Sequence, residues 1–291
     1  MISAFSNGEL MEKNDMISEY ITPVSPVPTS LTPSGKLEEK IEVILFDVYG
    51  TLFISRSGDI GMAKKKTPQT DKLEKLLQQF GNKKDSQSVL NRFYAAIENQ
   101  HELLKKKGVD FPEVEIDQIW MRVLETDDLE RVRAFAVTYE LITNPVYPMP
   151  NLETMLSVCQ DSNVLMGIIS NAQFYTPYLF NWFLGSPPED LGFHPDLILY
   201  SYEFGYAKPS TFMFQVAAER LKHMDMSVGS ALYIGNDMLN DIYPAKQAGF
   251  KTALFAGDER SLRLRENDPK CKDLSVDLVI TDLIQLLDYI Q

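Results

Sequence analysis

The most continuous apolar stretch of the chain is Ile41–Asp47, a run of strand length that ends on a carboxylate. Gly50 and Thr51 follow at once. A run of this kind is typical of a strand that is buried on both faces of a parallel sheet. Because ligands bind beyond the carboxyl ends of the strands in open α/β sheets, we identify Asp47 as the candidate centre of a site.

After residue 55 the apolar positions recur three and four residues apart, and no strand pattern interrupts them. Asp85 and Asp128 are predicted to cap helices, and Gly81 and Gly108 to end them. Helices are predicted over Thr70–Phe80, Ser86–Lys106, Glu115–Glu125 and Asp128–Thr143. This insert is longer than a crossover between parallel strands needs, so we predict a separate helical cap domain over residues 56–144.

Beyond a proline-rich connector over residues 144–150, strand and helix patterns alternate. Strands are predicted over Asn163–Ile169, Leu197–Tyr202, Ala231–Ile234, Thr252–Phe255 and Asp277–Ile280, and helices over Asn151–Gln160, Phe174–Leu184, Ser210–Lys222, Leu239–Ala248 and Asp282–Ile290. This alternation predicts an α/β fold, a Rossmann-like, doubly wound parallel-sheet core over residues 39–55 and 145–291. Residues 1–38, which contain four prolines after residue 22, are predicted to be an extended arm that lies loosely on the surface.

The composition limits the classes of partner. With a net charge of -13 and a pI near 4.8, the chain lacks the basic surface of a nucleic-acid-binding protein. Two cysteines form neither a disulfide framework nor a CxxC metal pair. There is no secretory pattern at the N-terminus and no apolar run of membrane-spanning length, so we expect a cytoplasmic protein without membrane or nucleic-acid partners. The oligomeric state is left open.

Polar residues stand at four places where a predicted strand ends or a helix begins. They are Asp47 with Thr51, Ser170 with Asn171, Lys208 before Pro209, and Asp237 with Asp241. Each place alone has an ordinary structural explanation, such as a turn, a solvated lysine or an acid at a helix N-terminus. Short connections, however, would bring all four to one edge of the sheet.

Together, the four places resemble the motifs of the haloacid dehalogenase superfamily of hydrolases. The family has an Asp-x-x-x-Thr segment after its first strand, matched from Asp47 to Thr51, and a Ser or Thr at the end of its second core strand, matched by Ser170. A Lys before a helix is matched by Lys208, and an acidic pair by Asp237 and Asp241. The resemblance extends from about residue 41 to the C-terminus, with the helical insert in the position of the first type of cap.

The resemblance implies a role for each residue. Asp47 would be the nucleophile that forms a covalent aspartyl intermediate. Lys208 would supply a fixed positive charge, Ser170 and Thr51 would donate hydrogen bonds to the substrate anion, and Asn171 would belong to the same catalytic group. Mg²⁺, which prefers oxygen ligands, would be held by Asp47, the backbone carbonyl of Tyr49 and Asp237, with Asp241 as a further ligand or as a residue that orients the others.

Tyr49 departs from the phosphatases of this superfamily, which usually carry an Asp two residues after the nucleophile to protonate the leaving group. Tyr at this place is typical of the 2-haloacid dehalogenases, because a halide leaves without a proton. Two other places depart from the dehalogenases instead. Phe214 stands where they carry Tyr, and Asn236-Asp237-Met238 stands where they carry the Ser-Ser-Asn of a metal-free site.

These features favour a Mg²⁺-dependent, phosphatase-like hydrolase of a small phosphorylated metabolite. It would act on good leaving groups or take its acid from the cap. Two alternatives stay open: dehalogenase-type hydrolysis of a C–halogen bond, and a catalytically weak phosphate- or partner-binding module.

Tyr49 and Arg56 are candidate acid/base or substrate-contact residues, and Arg122 is a candidate anion contact. Lys64–Lys66 are interpreted as a solvated face, with attraction of an anionic substrate as the alternative hypothesis. Trp120, Phe135 and Tyr139 are assigned to the cap interior, and His101, His194 and His223 receive no role.

Overall fold

The structure, a computed structural model, describes residue 21 and residues 23–55 and 70–290. The strands in this part of the chain are β1 (Ser34–Gly35), β2 (Val43–Phe46), β3 (Phe53–Ser55), β4 (Val146–Pro148), β5 (Leu165–Ser170), β6 (Phe193–Tyr200), β7 (Ala231–Gly235), β8 (Lys251–Phe255) and β9 (Leu278–Ile280). The α-helices are α1 (Thr70–Gln79), α2 (Ser86–Lys106), α3 (Ile116–Leu124), α4 (Leu129–Thr143), α5 (Leu152–Asp161), α6 (Thr176–Leu184), α7 (Ser201–Phe204), α8 (Phe212–His223) and α9 (Tyr243–Gln247).

A seven-stranded sheet forms the core of the described residues, in the order β1-β9-β8-β7-β2-β5-β6. Neighbouring strands are parallel, except that β1 runs antiparallel to β9. The chain moves outward from β2 in both directions, to β5 on one side and to β7 on the other. This arrangement confirms the predicted α/β, Rossmann-like fold, and it makes β2 the strand at which the chain order reverses.

Strand β2 is buried on both faces. Val43 and Leu45 pack with Met213 and Phe214 of α8 on one face of the sheet. Ile44 and Phe46 belong to the larger cluster on the other face, which includes residues of α5 and the C-terminal turn. All four side chains are at most 1% exposed, which explains why this strand has no polar alternation.

The four helices α1–α4 are inserted between β3 and β4, near the positions predicted for them. Their interior is aromatic: Trp120 stacks on Phe93 at 4.1 Å between ring centroids and meets Phe135 edge-on at 4.9 Å. Trp120, Phe135 and Tyr139 therefore pack within this segment, as expected. That the segment is a separate cap domain stays a prediction.

The two chain segments that connect the core with α1–α4 pair with each other. Strands β3 and β4 pair antiparallel, with Ile54 opposite Tyr147. The sequence predicted only a rigid connector over residues 144–150, because three-residue strands are too short to produce a periodic pattern.

The end of the predicted N-terminal arm is part of the core. Ser34 and Gly35 pair with Val279 and Leu278 of β9. Upstream, Val24 is buried, and the backbone N–H of Val27 donates to Asp258 Oδ1 at 2.9 Å. We expected a loose arm, but from residue 23 onward the chain is held against the core; residues 1–20 lie outside the described part.

Smaller differences concern the ends of elements. Strand β6 begins at Phe193, four residues before the predicted start, because exposed residues near its start hide the strand pattern. The helix predicted over Leu239–Ala248 is divided into a π-helical turn, Met238–Ile242, and α9. The last predicted helix is a 3₁₀ segment, Leu283–Tyr289. None of the helices in the described ranges is both long and apolar enough to cross a membrane.

Candidate active site

The carboxylate of Asp47 lies where three neighbouring strands end. Asp47 directly follows β2, and its backbone N–H donates to Ile234 O of β7 at 2.8 Å. Ser170, the last residue of β5, donates its hydroxyl to Asp47 Oδ1 at 2.8 Å, and Lys208 Nζ donates to the same oxygen at 2.7 Å. The side chains that the sequence placed at one sheet edge are thus in direct contact, and the aspartate is only 6% exposed.

Lys208 bridges two carboxylates. Besides Asp47, its Nζ donates to Asp241 Oδ1 at 2.5 Å. The hydroxyl of Tyr233 lies 2.9 Å from Nζ and 3.0 Å from the same Asp241 oxygen. Asp241 reaches this position because Gly235 has no side chain: a Cβ there would lie 2.3 Å from Asp241 Cγ. The result is a buried ion cluster in which every charged group has a partner.

Electrostatics keep the positive charge on Lys208. Burial disfavours the ammonium, but the carboxylates of Asp241 and Asp47 outweigh burial, so the pKa of Lys208 is raised above its usual value. Burial also raises the pKa of Asp241 to about 7, against the opposing effect of Lys208. A lysine whose charge is favoured by two carboxylates is suited to stabilise negative charge that develops on a bound substrate.

Asn171 and Thr51 connect the segments that carry these groups. The side chain of Asn171 accepts from the backbone N–H of Lys208 at 2.6 Å and donates to the Lys208 carbonyl at 3.1 Å. Thr51 is fully buried and donates to Asn236 Oδ1 at 3.3 Å. Between Asp47 and Thr51 the chain turns at Gly50, which has φ +91° and where a Cβ would lie 2.7 Å from Asn236 Nδ2. Asn171 and Thr51 thus hold loops in place.

The proposed magnesium ligands do not fit a metal in this arrangement. Both carboxylate oxygens of Asp237 accept from Arg265, at 3.0 Å to Nε and 2.6 Å to Nη2, and Asp237 Oδ1 also caps Leu239. Asp241 is engaged by Lys208 and by the backbone N–H of Asp237 at 2.9 Å. Within the described ranges, no group of three or more Asp, Glu, His or Cys side chains is arranged to hold a metal. Of the predicted set of Asp47, Tyr49 O, Asp237 and Asp241, the last two are thus engaged by other groups, and the metal site stays a prediction.

Tyr49 is poorly suited to act as a general acid. Its hydroxyl shares a hydrogen bond of 2.9 Å with Thr176 Oγ1, at the start of α6. Burial raises the pKa of Tyr49 well above its usual value, and the charge of Glu140 adds to this effect. Because a phenol with a raised pKa is a weaker acid than usual, Tyr49 is a poor replacement for a carboxylic acid.

A cavity of about 470 Å³ lies between the sheet and the segment α1–α4. Tyr49, Asn171 and Lys208 line it on the sheet side. Aromatic side chains of α2, α3 and α4 line the opposite side, namely Phe93, Tyr94, Trp120 and Tyr139. Its volume is within the range of small-molecule sites, and its mixed lining suits a ligand with an anionic end and an apolar or uncharged remainder.

Other candidates from the sequence lie elsewhere. Arg122 is on an exposed face of α3, where it contacts Gln118 and Gln100, and it does not line this cavity. Arg56 and Lys64–Lys66 lie outside the described residues. Sequence reasoning missed Tyr233 and Arg265, and no sequence signal pointed to either, because Tyr233 belongs to an apolar strand and Arg265 to a loop.

The sequence matches the model of one family, described as haloacid dehalogenase-like hydrolase, over residues 41–249. A ribulose-1,5-bisphosphate 5-phosphatase of Halopiger xanaduensis is 33% identical over 95 residues, which is 33% of this chain and 38% of that protein. The aligned part thus spans well under half of that relative.

Solved structures share the fold. A 2-haloacid dehalogenase from Pseudomonas syringae pv. Tomato DC3000 is 20% identical, with a TM-score of 0.53 and coverage of 86% of this chain and 97% of that chain. An HAD phosphatase from Thermococcus onnurineus is 17% identical, with a TM-score of 0.51 and coverage of 85% and 97%. The family model covers well over half of the chain, so this protein belongs to the haloacid dehalogenase-like hydrolase family.

Proposed function

We propose that this hydrolase is a phosphatase that acts on a small phosphorylated metabolite, with Asp47 as its nucleophile. Asp47 would attack phosphorus to form an aspartyl phosphate, which water then hydrolyses. The observation that carries the proposal is the state of this carboxylate: Ser170 and Lys208 fix Oδ1, while Oδ2 makes no hydrogen bond to a described residue. One oxygen is thus oriented and the other is available for attack.

Two further features support a phosphoryl group as the target. Lys208 keeps its charge beside the nucleophile, and phosphoryl transfer depends mainly on stabilising negative charge and positioning the reactants. The relative named as a phosphatase matches part of the chain at 33% identity. Magnesium dependence, expected from the family resemblance, stays a prediction to be tested separately, because the acids do not fit a metal as they are arranged.

The test is a substrate panel with purified full-length protein. Aryl and alkyl phosphates and 2-haloacids are assayed with Mg²⁺ and with EDTA. We expect phosphate release by wild type, with Asp47→Asn losing it and Asp117→Asn retaining it. Asp117 is a suitable control because it is also buried and ion-paired, with Arg133 at 2.9 Å, but lies in α3. Phosphate release that survives Asp47→Asn would overturn the proposal.

Dehalogenase-type hydrolysis is the second candidate, and Tyr49 is the observation that favours it. In that reaction Asp47 would attack carbon and displace a halide, which needs neither an acid nor a metal. Halide release from 2-haloacids in EDTA, without phosphate release from the esters, would replace the first proposal by this one. If wild type turns over no compound of the panel, the phosphate- or partner-binding module is the alternative that stands.

A further inference from the structure

Helix α4 presents one face to the cavity. Ala136, Tyr139, Glu140 and Thr143 recur at three- and four-residue spacing, and they line the cavity together with Asn144, which directly follows the helix. Glu140 is the acidic residue on this face. Its side chain is partly exposed and lines the cavity. A carboxyl group of the helical segment therefore reaches the same space as Tyr49 and Lys208 of the core.

The carboxyl group of Glu140 is held by side chains from both sides of the cavity. Asn144 Nδ2 donates to Glu140 Oε1 at 3.0 Å, and the hydroxyl of Tyr175 also donates to this carboxyl group. Asn144 in turn accepts from Ser55 Oγ at 3.0 Å, which ties it to β3. Glu140 thus has a fixed orientation, and contacts to both passages between the core and α1–α4 maintain it.

We propose that Glu140 is the proton donor for the leaving group, in place of the acid that Tyr49 replaces. This role rests on the proposed phosphatase function. It follows from the geometry, since Glu140, Tyr49 and Lys208 line one cavity and Lys208 Nζ donates to Asp47 Oδ1 at 2.7 Å.

The two half-reactions balance with Glu140 as the proton carrier. In the first, an oxygen of Asp47 bonds to phosphorus, the bond from phosphorus to the leaving oxygen breaks, and that oxygen takes the proton of Glu140. In the second, Glu140 takes a proton from water as the water oxygen bonds to phosphorus. The bond from phosphorus to Asp47 then breaks, phosphate is released, and Asp47 and Glu140 are again in their starting protonation states.

Burial of Glu140 shifts its titration in the direction that favours a proton donor. Burial raises its pKa above the usual carboxyl range, and the hydrogen bonds from Asn144 and Tyr175 only partly oppose this effect. Among the described residues, the titratable groups whose charges interact with Glu140 are the phenols of Tyr49, Tyr139 and Tyr175, and burial raises the pKa of each. These phenols therefore stay neutral while Glu140 titrates.

The proposal is tested with phosphates of graded leaving groups: 4-nitrophenyl, phenyl and ethyl phosphate. Glu140→Gln keeps an oxygen that can accept from Asn144 but cannot donate an acidic proton. We expect kcat/KM for ethyl phosphate to fall by about 10²–10⁴-fold, the usual contribution of general acid–base catalysis. The loss for 4-nitrophenyl phosphate should be much smaller, because nitrophenolate leaves without a proton.

Two controls separate this role from a structural one. Glu113→Gln removes another cavity carboxyl and should change kcat/KM by the same factor for all three esters. The decline of wild-type kcat/KM as pH rises through the pKa of Glu140 should be missing in Glu140→Gln, since only the protonated acid can donate. Glu140→Asp should restore part of the activity on ethyl phosphate, and thermal unfolding should show all variants folded.

Equal losses for the three esters, or an unchanged alkaline limb in Glu140→Gln, would overturn the role of Glu140 while leaving the phosphatase function intact. If wild type releases no phosphate from any of the three esters, the proposed function fails first, and the role of Glu140 fails with it. Loss of all activity in Asp47→Asn, together with a selective loss on ethyl phosphate in Glu140→Gln, supports both.

Discussion

At the scale of single residues, most groups of the candidate site are matched with a specific partner. Lys208 is shared between Asp47 and Asp241, and Arg265 takes both oxygens of Asp237. Arg265 therefore forms hydrogen bonds with both oxygens of the carboxylate that the family resemblance assigns to a metal. Magnesium would have to compete with this charged hydrogen-bonded pair, which has a direct consequence for a binding measurement.

Replacing Arg265 should strengthen magnesium binding. In Arg265→Gln the carboxylate of Asp237 loses its ion pair, and a competing positive charge is removed. Since hydrogen bonds to charged groups contribute about 1.5–3 kcal/mol, the Kd for Mg²⁺ should fall by about 10–150-fold. Isothermal titration of the full chain with MgCl₂ measures this directly.

Arg263→Gln is the matched control for the magnesium titration, because it makes the same change of charge two residues away. Arg263 donates its side-chain hydrogen bonds to the carbonyls of Arg260 and Leu262. Its replacement should leave the Mg²⁺ affinity near the wild-type value. Equal affinities of wild type and Arg265→Gln would contradict the idea that Arg265 competes with the metal.

The residues found from sequence and those missed differ in a physical way. Asp47 and Ser170 each end a buried apolar strand, so local pattern and sheet topology together locate them. The partners Asp237 and Arg265 are 28 positions apart, and the arginine lies in a loop without periodicity. Glu140 has the sequence context of any acidic residue on an amphipathic helix; only the packing of α4 over the sheet gives it a place at the site.

At the scale of elements, the site depends on how closely the π-helical turn after β7 approaches the sheet. The turn brings Asp241 back over the end of β7, and Gly235 leaves the space for its side chain. Sequence periodicity predicted a regular helix here, because the 3.6-residue pattern does not distinguish an added residue in one turn. The irregular turn is what places Asp241 against Lys208.

Gly235→Ala should therefore disrupt the site. The added Cβ would lie 2.3 Å from Asp241 Cγ, so Asp241 has to move away from Lys208. We expect a loss of stability of about 1–3 kcal/mol, typical of overpacking, together with a large loss of kcat. Urea denaturation and steady-state kinetics measure the two effects.

Gly229→Ala provides the comparison for Gly235→Ala, since Gly229 precedes the same strand and an added Cβ would meet only Ser227 Oγ at 3.5 Å. This variant should have the stability and rate of wild type within error. If Gly235→Ala behaves like Gly229→Ala, the close approach of Asp241 to β7 does not matter for the site.

At the scale of the whole molecule, a parallel sheet and a helical segment enclose one cavity, and each side contributes charged groups to it. The fold class could be predicted because strands and helices alternate clearly from residue 151 onward. The small sheet of β3 and β4 could not, since it is held by pairing between segments about 90 residues apart. That pairing lies beside the Ser55–Asn144 contact, so the connection between the two parts also supports the carboxyl group of Glu140.

The short strand β1 has a consequence for how molecules of this protein meet one another. It covers the outer side of β9, whose backbone groups would otherwise be a template for pairing with a second chain. Removing residues 1–36 deletes this cover and the buried Val24, although Asp47 and its partners remain. We expect such a chain to self-associate and to unfold at a lower temperature.

Light scattering and thermal unfolding compare this truncated chain with one that lacks only residues 1–20, in which β1 and Val24 are kept. The shorter deletion should remain in the association state of the full chain. Identical scattering and unfolding for both deletions would show that β1 is not required to prevent self-association through β9. If only the longer deletion self-associates, a two-residue strand at the edge of the sheet decides whether the molecules stay dispersed or aggregate.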